Sequence, residues 1–160
     1  MIQLADVGEA AVVNRYLQRV PVDLDAMAAD LGLEVERSPL SENIAGKLVR
    51  DARARAGYRI VINSRDSSRR QRFTFAHELA HYMLHRDLVD EVVDNALYRS
   101  PNLGDDMERQ ADRFAAQLLL PANEVRRAYA REKALARLAE LFDVSDQALR
   151  IRLRELRLAP

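Results

Sequence analysis

The sequence contains no cysteine and no tryptophan, and only three of its 160 residues are histidine. Without cysteine the chain forms no disulfide and no thiolate metal site, so any metal must be bound by nitrogen and oxygen ligands. The Lys plus Arg and Asp plus Glu totals are both 25, and a net charge of +0 gives no general attraction to nucleic acid or to an acidic membrane surface. No apolar run reaches the length of a membrane span, and the first residues carry acids where a signal peptide has basic residues. We therefore expect a cytoplasmic protein that does not enter a membrane.

The three histidines are grouped in one segment, and two of them belong to an HExxH pattern, His77-Glu78-Leu79-Ala80-His81. Residues four apart on a helix face the same way, so both imidazoles can bind one metal ion. Glu78 between them supplies the carboxylate that hydrolytic zinc chemistry uses as a base. Residues 72–85 contain no Gly or Pro and have apolar residues at helical spacing, which predicts one buried helix. The alternative is a core helix that carries histidines without a metal, and it is the weaker interpretation because only three histidines are present to form the pattern.

A catalytic zinc site has three protein ligands and one open position, so a third ligand is needed. His85 is eight residues beyond His77, about 12 Å along the helix axis, and is excluded while the helix is continuous. We expect it to be a helix-end residue, where a histidine suits the helix dipole. Carboxylates remain, and the best candidate is Glu108, which lies near the start of a second strongly periodic stretch at residues 107–121. Asp112, one turn further on, would point the same way and could accept the second ring N–H of a ligating histidine.

The HExxH pattern and the stretch Glu108-Arg-Gln-Ala-Asp112-Arg-Phe-Ala-Ala-Gln-Leu-Leu-Leu-Pro121 together resemble the ImmA/IrrE metallopeptidases, small zincin-like proteins of bacteria, phages and mobile elements. The resemblance extends over residues 20–125. It implies zinc bound by His77, His81 and Glu108, with Glu78 as the catalytic base. It also implies a zinc endopeptidase that cleaves or antagonises a helix-turn-helix repressor of the Xre type and so regulates stress or mobile-element genes. A pseudoprotease that binds metal and sequesters the repressor remains an alternative.

The capping and turn residues of the chain, together with its apolar periodicity, predict an α+β fold in which the metal lies between two helices. We expect a helix over residues 3–19, a short helix between Asp23 and Gly32, a small antiparallel sheet, the HExxH helix, the Glu108 helix and further helices after Pro121. The predicted strands cover residues 33–37, 45–50 and 58–62, with a further short strand at 97–99 inside an irregular connection from 86 to 104. Residues 1–125 would form the zincin-like core, and residues 126–160 a helical extension packed on it. The segment 44–50 is the expected sheet edge for a peptide substrate, because its small residues leave room for a partner backbone.

The C-terminal residues 135–156 offer a rival function, since two short amphipathic helices joined at 142–145 look like a helix-turn-helix. Residues 126–157 contain nine Arg or Lys against five Asp or Glu, a surplus of four positive charges. That surplus is weak for a DNA reader, and Arg150, Arg152 and Arg154 step by two, which spreads them around a helix. We expect packing against the core, with DNA contact and binding of a protein partner as the alternatives.

The sequence does not single out a donor for the oxyanion that peptide hydrolysis creates. The side chains near the motifs that could serve are Arg70, Tyr82, Tyr98 and Arg99. Each could equally be a packing or ion-pair residue. The oligomeric state and the identity of the repressor are likewise not predicted.

Overall fold

A small mixed sheet and the helices around it form the fold, described by a computed structural model over residues 1–88, 91–95 and 104–159. The elements in chain order are α1 (Val7–Tyr16), α2 (Leu24–Leu31), β1 (Glu34–Ser38), β2 (Ile44–Arg50), β3 (Tyr58–Asn63), α3 (Ser68–His85), β4 (Glu91–Asn95), α4 (Asp105–Leu119), α5 (Ala122–Arg131), α6 (Leu135–Phe142) and α7 (Asp146–Glu155). The predicted α+β class is confirmed. The strand predicted at 97–99 lies outside the described residues.

The sheet has the strand order β1-β3-β2-β4 within the described part of the chain. β2 runs antiparallel to both β3 and β4, whereas β1 runs parallel to β3, with Val35 opposite Ile60. The expectation of a purely antiparallel sheet was therefore wrong in the pairing of β1. The predicted edge at 44–50 was also wrong, because β2 lies between β3 and β4 and its backbone is paired on both sides.

Local capping signals set the ends of several helices. Asp23 accepts a hydrogen bond from the backbone N–H of Ala26, and Gly32, with φ at 85°, ends α2 in the left-handed conformation, as predicted. α1 is shorter than the predicted 3–19, because it begins only after Asp6, which caps it. The residues before it are held differently: the backbone of Ile2 exchanges hydrogen bonds with the side chain of Asn14.

α3 lies at the centre of the packing, against β2, β3 and α4. Its N-terminus is capped by Ser67, whose side chain accepts from the backbone N–H of Arg70. The fully buried apolar residues of these elements include Leu48, Ile60, Ile62, Phe75, Leu79, Ala111, Ala115 and Leu118. Since both sides of α3 are packed, its polar residues are held in fixed positions rather than on a mobile surface.

The helices after Pro121 contribute buried residues to the same core cluster, among them Leu138, Phe142, Leu149 and Leu153. Asp143, in the turn between α6 and α7, lies 3.7 Å from Nε of Arg69 and 3.9 Å from Nε of Arg72. Both arginines belong to the first turns of α3, so this turn contacts the helix that carries HExxH. In the described ranges no helix is long and apolar enough to cross a membrane.

Candidate metal centre

The two histidines of the HExxH pattern face each other on a continuous helix. α3 runs without interruption over Ser68–His85, which confirms the predicted helix at 72–85. The Nε2 atoms of His77 and His81 are 3.0 Å apart, and the residues are 7% and 0% exposed. Both lone-pair nitrogens are thus directed at the same buried point.

Glu108 reaches that point from the first turn of α4, where an acidic side chain also suits the positive end of the helix dipole. Its Oε2 lies 3.2 Å from Nε2 of His77, and its Oε1 lies 3.4 Å from Nε2 of His81. One ligand atom from each of the three residues lies within 4.8 Å of the others. The structure therefore brings together the three residues that the sequence analysis named as metal ligands.

The donor set fits a divalent metal ion. A tetrahedral ion with bonds of about 2.0–2.1 Å holds its ligand atoms about 3.3 Å apart. The observed separations of 3.0, 3.2 and 3.4 Å match that spacing. Two imidazole nitrogens and one carboxylate, buried and convergent, form a possible metal site, and the nature of these donors does not by itself identify the metal.

Glu78 is fully buried, adjacent to His77 in α3 and covered by β2. Gly46 of β2 makes this close approach possible. A Cβ at position 46 would lie 2.6 Å from Cγ2 of Thr74, 2.8 Å from the carbonyl oxygen of Val61 and 3.6 Å from Oε1 of Glu78. The small residues of this strand were predicted to leave room for a substrate, whereas in the structure the missing side chain of Gly46 makes room for α3.

The outer ring nitrogens of His77 and His81, the Nδ1 atoms that point away from the cluster, contact different groups. Nδ1 of His77 lies 2.8 Å from Oδ1 of Asp112, whose side chain is 49% exposed. Nδ1 of His81 lies 3.0 Å from Nδ1 of His85, and Nε2 of His85 lies 3.0 Å from Oε1 of Gln110. Burial lowers the pKa of His85, against the opposing effect of its hydrogen bond with Gln110.

Asp112 therefore lies where the sequence placed it. His85 ends α3 as predicted, outside the cluster of ligand atoms, but it is buried and contacts His81, which the sequence analysis missed. The signal was available, because His85 follows His81 at the same four-residue spacing that joins His81 to His77.

The sequence profile of the M78 peptidases, described as the IrrE N-terminal-like domain, matches residues 28–154. The chain belongs to the M78 peptidase family. The match covers both helices that carry the possible metal site and continues through α5, α6 and most of α7. It confirms the family to which the sequence was compared. No curated protein matches the chain at a significant level. Membership supports a metal-dependent peptidase, whose substrates are proteins or peptides.

The other residues that the sequence analysis singled out occupy varied positions in the M78 domain. The hydroxyl of Tyr82 donates to Oε1 of Glu9 at 3.3 Å, and Nε of Arg70 lies 3.4 Å from Oδ2 of Asp66. Tyr98 and Arg99 lie outside the described residues. In α7, Arg150 and Arg154 are exposed, whereas Arg152 is buried.

Proposed function

We propose that this M78 protein is a zinc endopeptidase of the cytoplasm that cleaves or antagonises a helix-turn-helix repressor of the Xre type, and so regulates stress or mobile-element genes. One observation carries the proposal: His77, His81 and Glu108 converge on a buried point beside Glu78 in a chain of this family. The choice of repressor as substrate is supported by the resemblance of both motifs to the ImmA/IrrE proteins.

In this proposal His77, His81 and Glu108 hold the zinc ion, which when bound supplies the Lewis acid that polarises the scissile carbonyl. Glu78 accepts a proton from the attacking water through one of its carboxylate oxygens and passes it to the leaving amine. Because Gly46 of β2 lies against Glu78, whose side chain is fully buried, the carboxylate stays away from bulk water between these transfers.

We also propose that residues 1–125 form the catalytic core and residues 126–160 an extension that packs on it. Support comes from the pairing of Asp143 with Arg69 and Arg72, and from the buried apolar residues of α6 and α7. The burial of Arg152 argues against DNA contact at that position.

The decisive experiment uses the purified protein with its metal and, as the candidate substrate, a purified repressor of the Xre type. Glu78→Gln keeps the shape of the side chain and leaves the three ligands intact, so metal should remain bound while cleavage falls by about a hundredfold or more. Glu140→Gln, the same change at an exposed position of α6, serves as the control and should cleave like the parent.

Cleavage that persists in Glu78→Gln would remove Glu78 from the chemistry. If the repressor stays intact in both proteins while both relieve repression in cells, the protein acts by sequestration and the peptidase proposal is wrong.

A further inference from the structure

The two histidines of the metal centre differ in what surrounds their outer nitrogens. His77 faces the carboxylate of Asp112, a charged group that is about half exposed. His81 faces a second imidazole, that of His85, which is only 3% exposed. His81 itself is fully buried, so His85 closes its outer side to water.

A neutral imidazole has one N–H donor and one acceptor nitrogen, and a hydrogen bond at one nitrogen decides the role of the other. Gln110 presents its carbonyl oxygen, Oε1, to Nε2 of His85 at 3.0 Å. Because an amide oxygen only accepts, this contact assigns the N–H of His85 to Nε2 and leaves its Nδ1 as an acceptor. The same network assigns Nδ1 of His81, 3.0 Å away, as the donor, so that Nε2 of His81 keeps its lone pair.

We propose that His85 and Gln110 are positioning residues that hold His81 in the tautomer able to bind a metal. The chain of bonds runs from Gln110 on α4 through His85 to His81, so it also fixes the ring orientation between two packed helices. This inference rests on the proposed metal centre, because the tautomer has a function only where Nε2 of His81 is a ligand. Removing such supporting partners typically weakens metal binding by about 10- to 100-fold.

The bond directions are testable by changing one acceptor at a time. Gln110→Leu removes the carbonyl that selects the tautomer of His85, and Gln110→Glu keeps an acceptor oxygen there. His85→Leu removes the acceptor for His81, and His85→Asn restores an oxygen near the former position of Nδ1. Leu84→Ala, at the neighbouring residue with 38% exposure, is the matched control.

Zinc affinity is measured by competition with a chelator, and the tautomer of His81 by nitrogen-15 NMR of the metal-free protein. We expect His85→Leu to weaken zinc binding by about 10- to 100-fold, and Gln110→Leu, one contact further from the ligand, to weaken it by a smaller factor. Zinc affinity should recover in Gln110→Glu and His85→Asn and should not change in Leu84→Ala. The parent spectrum should show a proton on Nδ1 of His81, and His85→Leu should show a mixture of tautomers.

Gln110 is exposed, so its variants keep the fold even if His85→Leu does not. Parental zinc affinity in Gln110→Leu and His85→Leu, or a proton on Nε2 of His81 in the parent, would overturn the inference while leaving the metal centre standing. A parent that binds no zinc would instead overturn the proposed function, and the NMR result on the metal-free protein would still decide the direction of the hydrogen bonds.

Discussion

Arg152 of α7 donates a hydrogen bond from Nε to the backbone carbonyl of Leu120, 3.0 Å away, at the residue that directly follows α4. Its Nη1 also lies 3.2 Å from Oε2 of Glu155. Arg152 was predicted only to be one of three arginines spread around a helix. In the structure it joins α7 to the end of α4, the helix that carries Glu108.

Arg152→Ala should therefore destabilise the protein. The change leaves a buried carbonyl without its donor, which costs about 1–3 kcal/mol. Arg150→Ala, at an exposed position two residues earlier, should stay within about 0.5 kcal/mol of the parent in the same denaturant titration. Equal stability of the two variants would show that the hydrogen bond to Leu120 does not stabilise the packing of the C-terminal extension.

The same helix tests the DNA-binding alternative. Changing the exposed Arg150 and Arg154 together to Ala avoids the destabilising loss of Arg152. We expect any weak retention on DNA to be unaffected, since the chain carries a net charge of +0. Sequence-specific promoter binding at physiological salt that the double variant loses would contradict this and favour the helix-turn-helix interpretation.

The metal content of single variants should distinguish the proposed ligand Glu108 from the nearby carboxylates of Asp112 and Asp106. The parent should purify with about one metal ion per chain, and Glu108→Ala should lose most of it. Asp112→Asn should keep the ion but bind it about 10- to 100-fold more weakly, because Asp112 lies beside the outer nitrogen of His77. Asp106→Ala, in the first turn of α4, is the control and should behave like the parent. Parental metal content in Glu108→Ala would exclude Glu108 from the site.

Gly46→Ala tests the contact between β2 and α3. The added Cβ would overlap with Thr74 and with the carbonyl of Val61, and overpacking of this kind costs about 1–3 kcal/mol. Adding Thr74→Ser removes one of the two clashes, so the double variant should recover part of the loss in thermal unfolding. Gly8→Ala places the same methyl group in an exposed helix, where alanine is favoured and the nearest atom is a side-chain oxygen, Oδ1 of Asp6 at 3.2 Å, so its stability should stay within about 0.5 kcal/mol of the parent. A stable Gly46→Ala would mean that β2 can move away from α3.

Asp51, in the connection between β2 and β3, should make the free energy of unfolding depend on pH. The backbone N–H of Arg53 and the guanidinium of Arg59 lower the pKa of Asp51. A carboxyl whose pKa is lower in the folded state stabilises above its unfolded pKa, and this contribution is lost as the pH falls through the folded value. Asp51→Asn should therefore destabilise at pH 7, and the difference from the parent should shrink toward about pH 3 in denaturant unfolding. A constant difference across this range would contradict the assignment.

The features that the sequence predicted correctly are decided by interactions between residues close together in the chain. Asp23 and Gly32 bound α2 because capping is decided within one turn, and His77 and His81 share a face because of helical geometry. The parallel pairing of β1 with β3 depends on residues more than twenty positions apart, which periodicity does not encode.

The edge position assigned to β2 failed for the same reason. β4 at Glu91–Asn95 lies within a segment predicted to be irregular, and it pairs with a strand more than forty residues earlier. The position of His85 beside His81 is a local feature that was not predicted: His85 is eight residues from His77, too far to share its metal, but only four residues, about one turn, from His81.

The proposed ligand residues lie on two helices, and twenty-six residues of chain separate His81 from Glu108. An ion held by both helices is a reversible cross-link that exists only in the folded chain. Such an ion stabilises the fold by about 2.7 kcal/mol when its free concentration is a hundred times the dissociation constant. Metal starvation would then shorten the lifetime of the protein against cellular proteases as well as stop its chemistry, so the amount of this peptidase in a cell would follow its supply of metal.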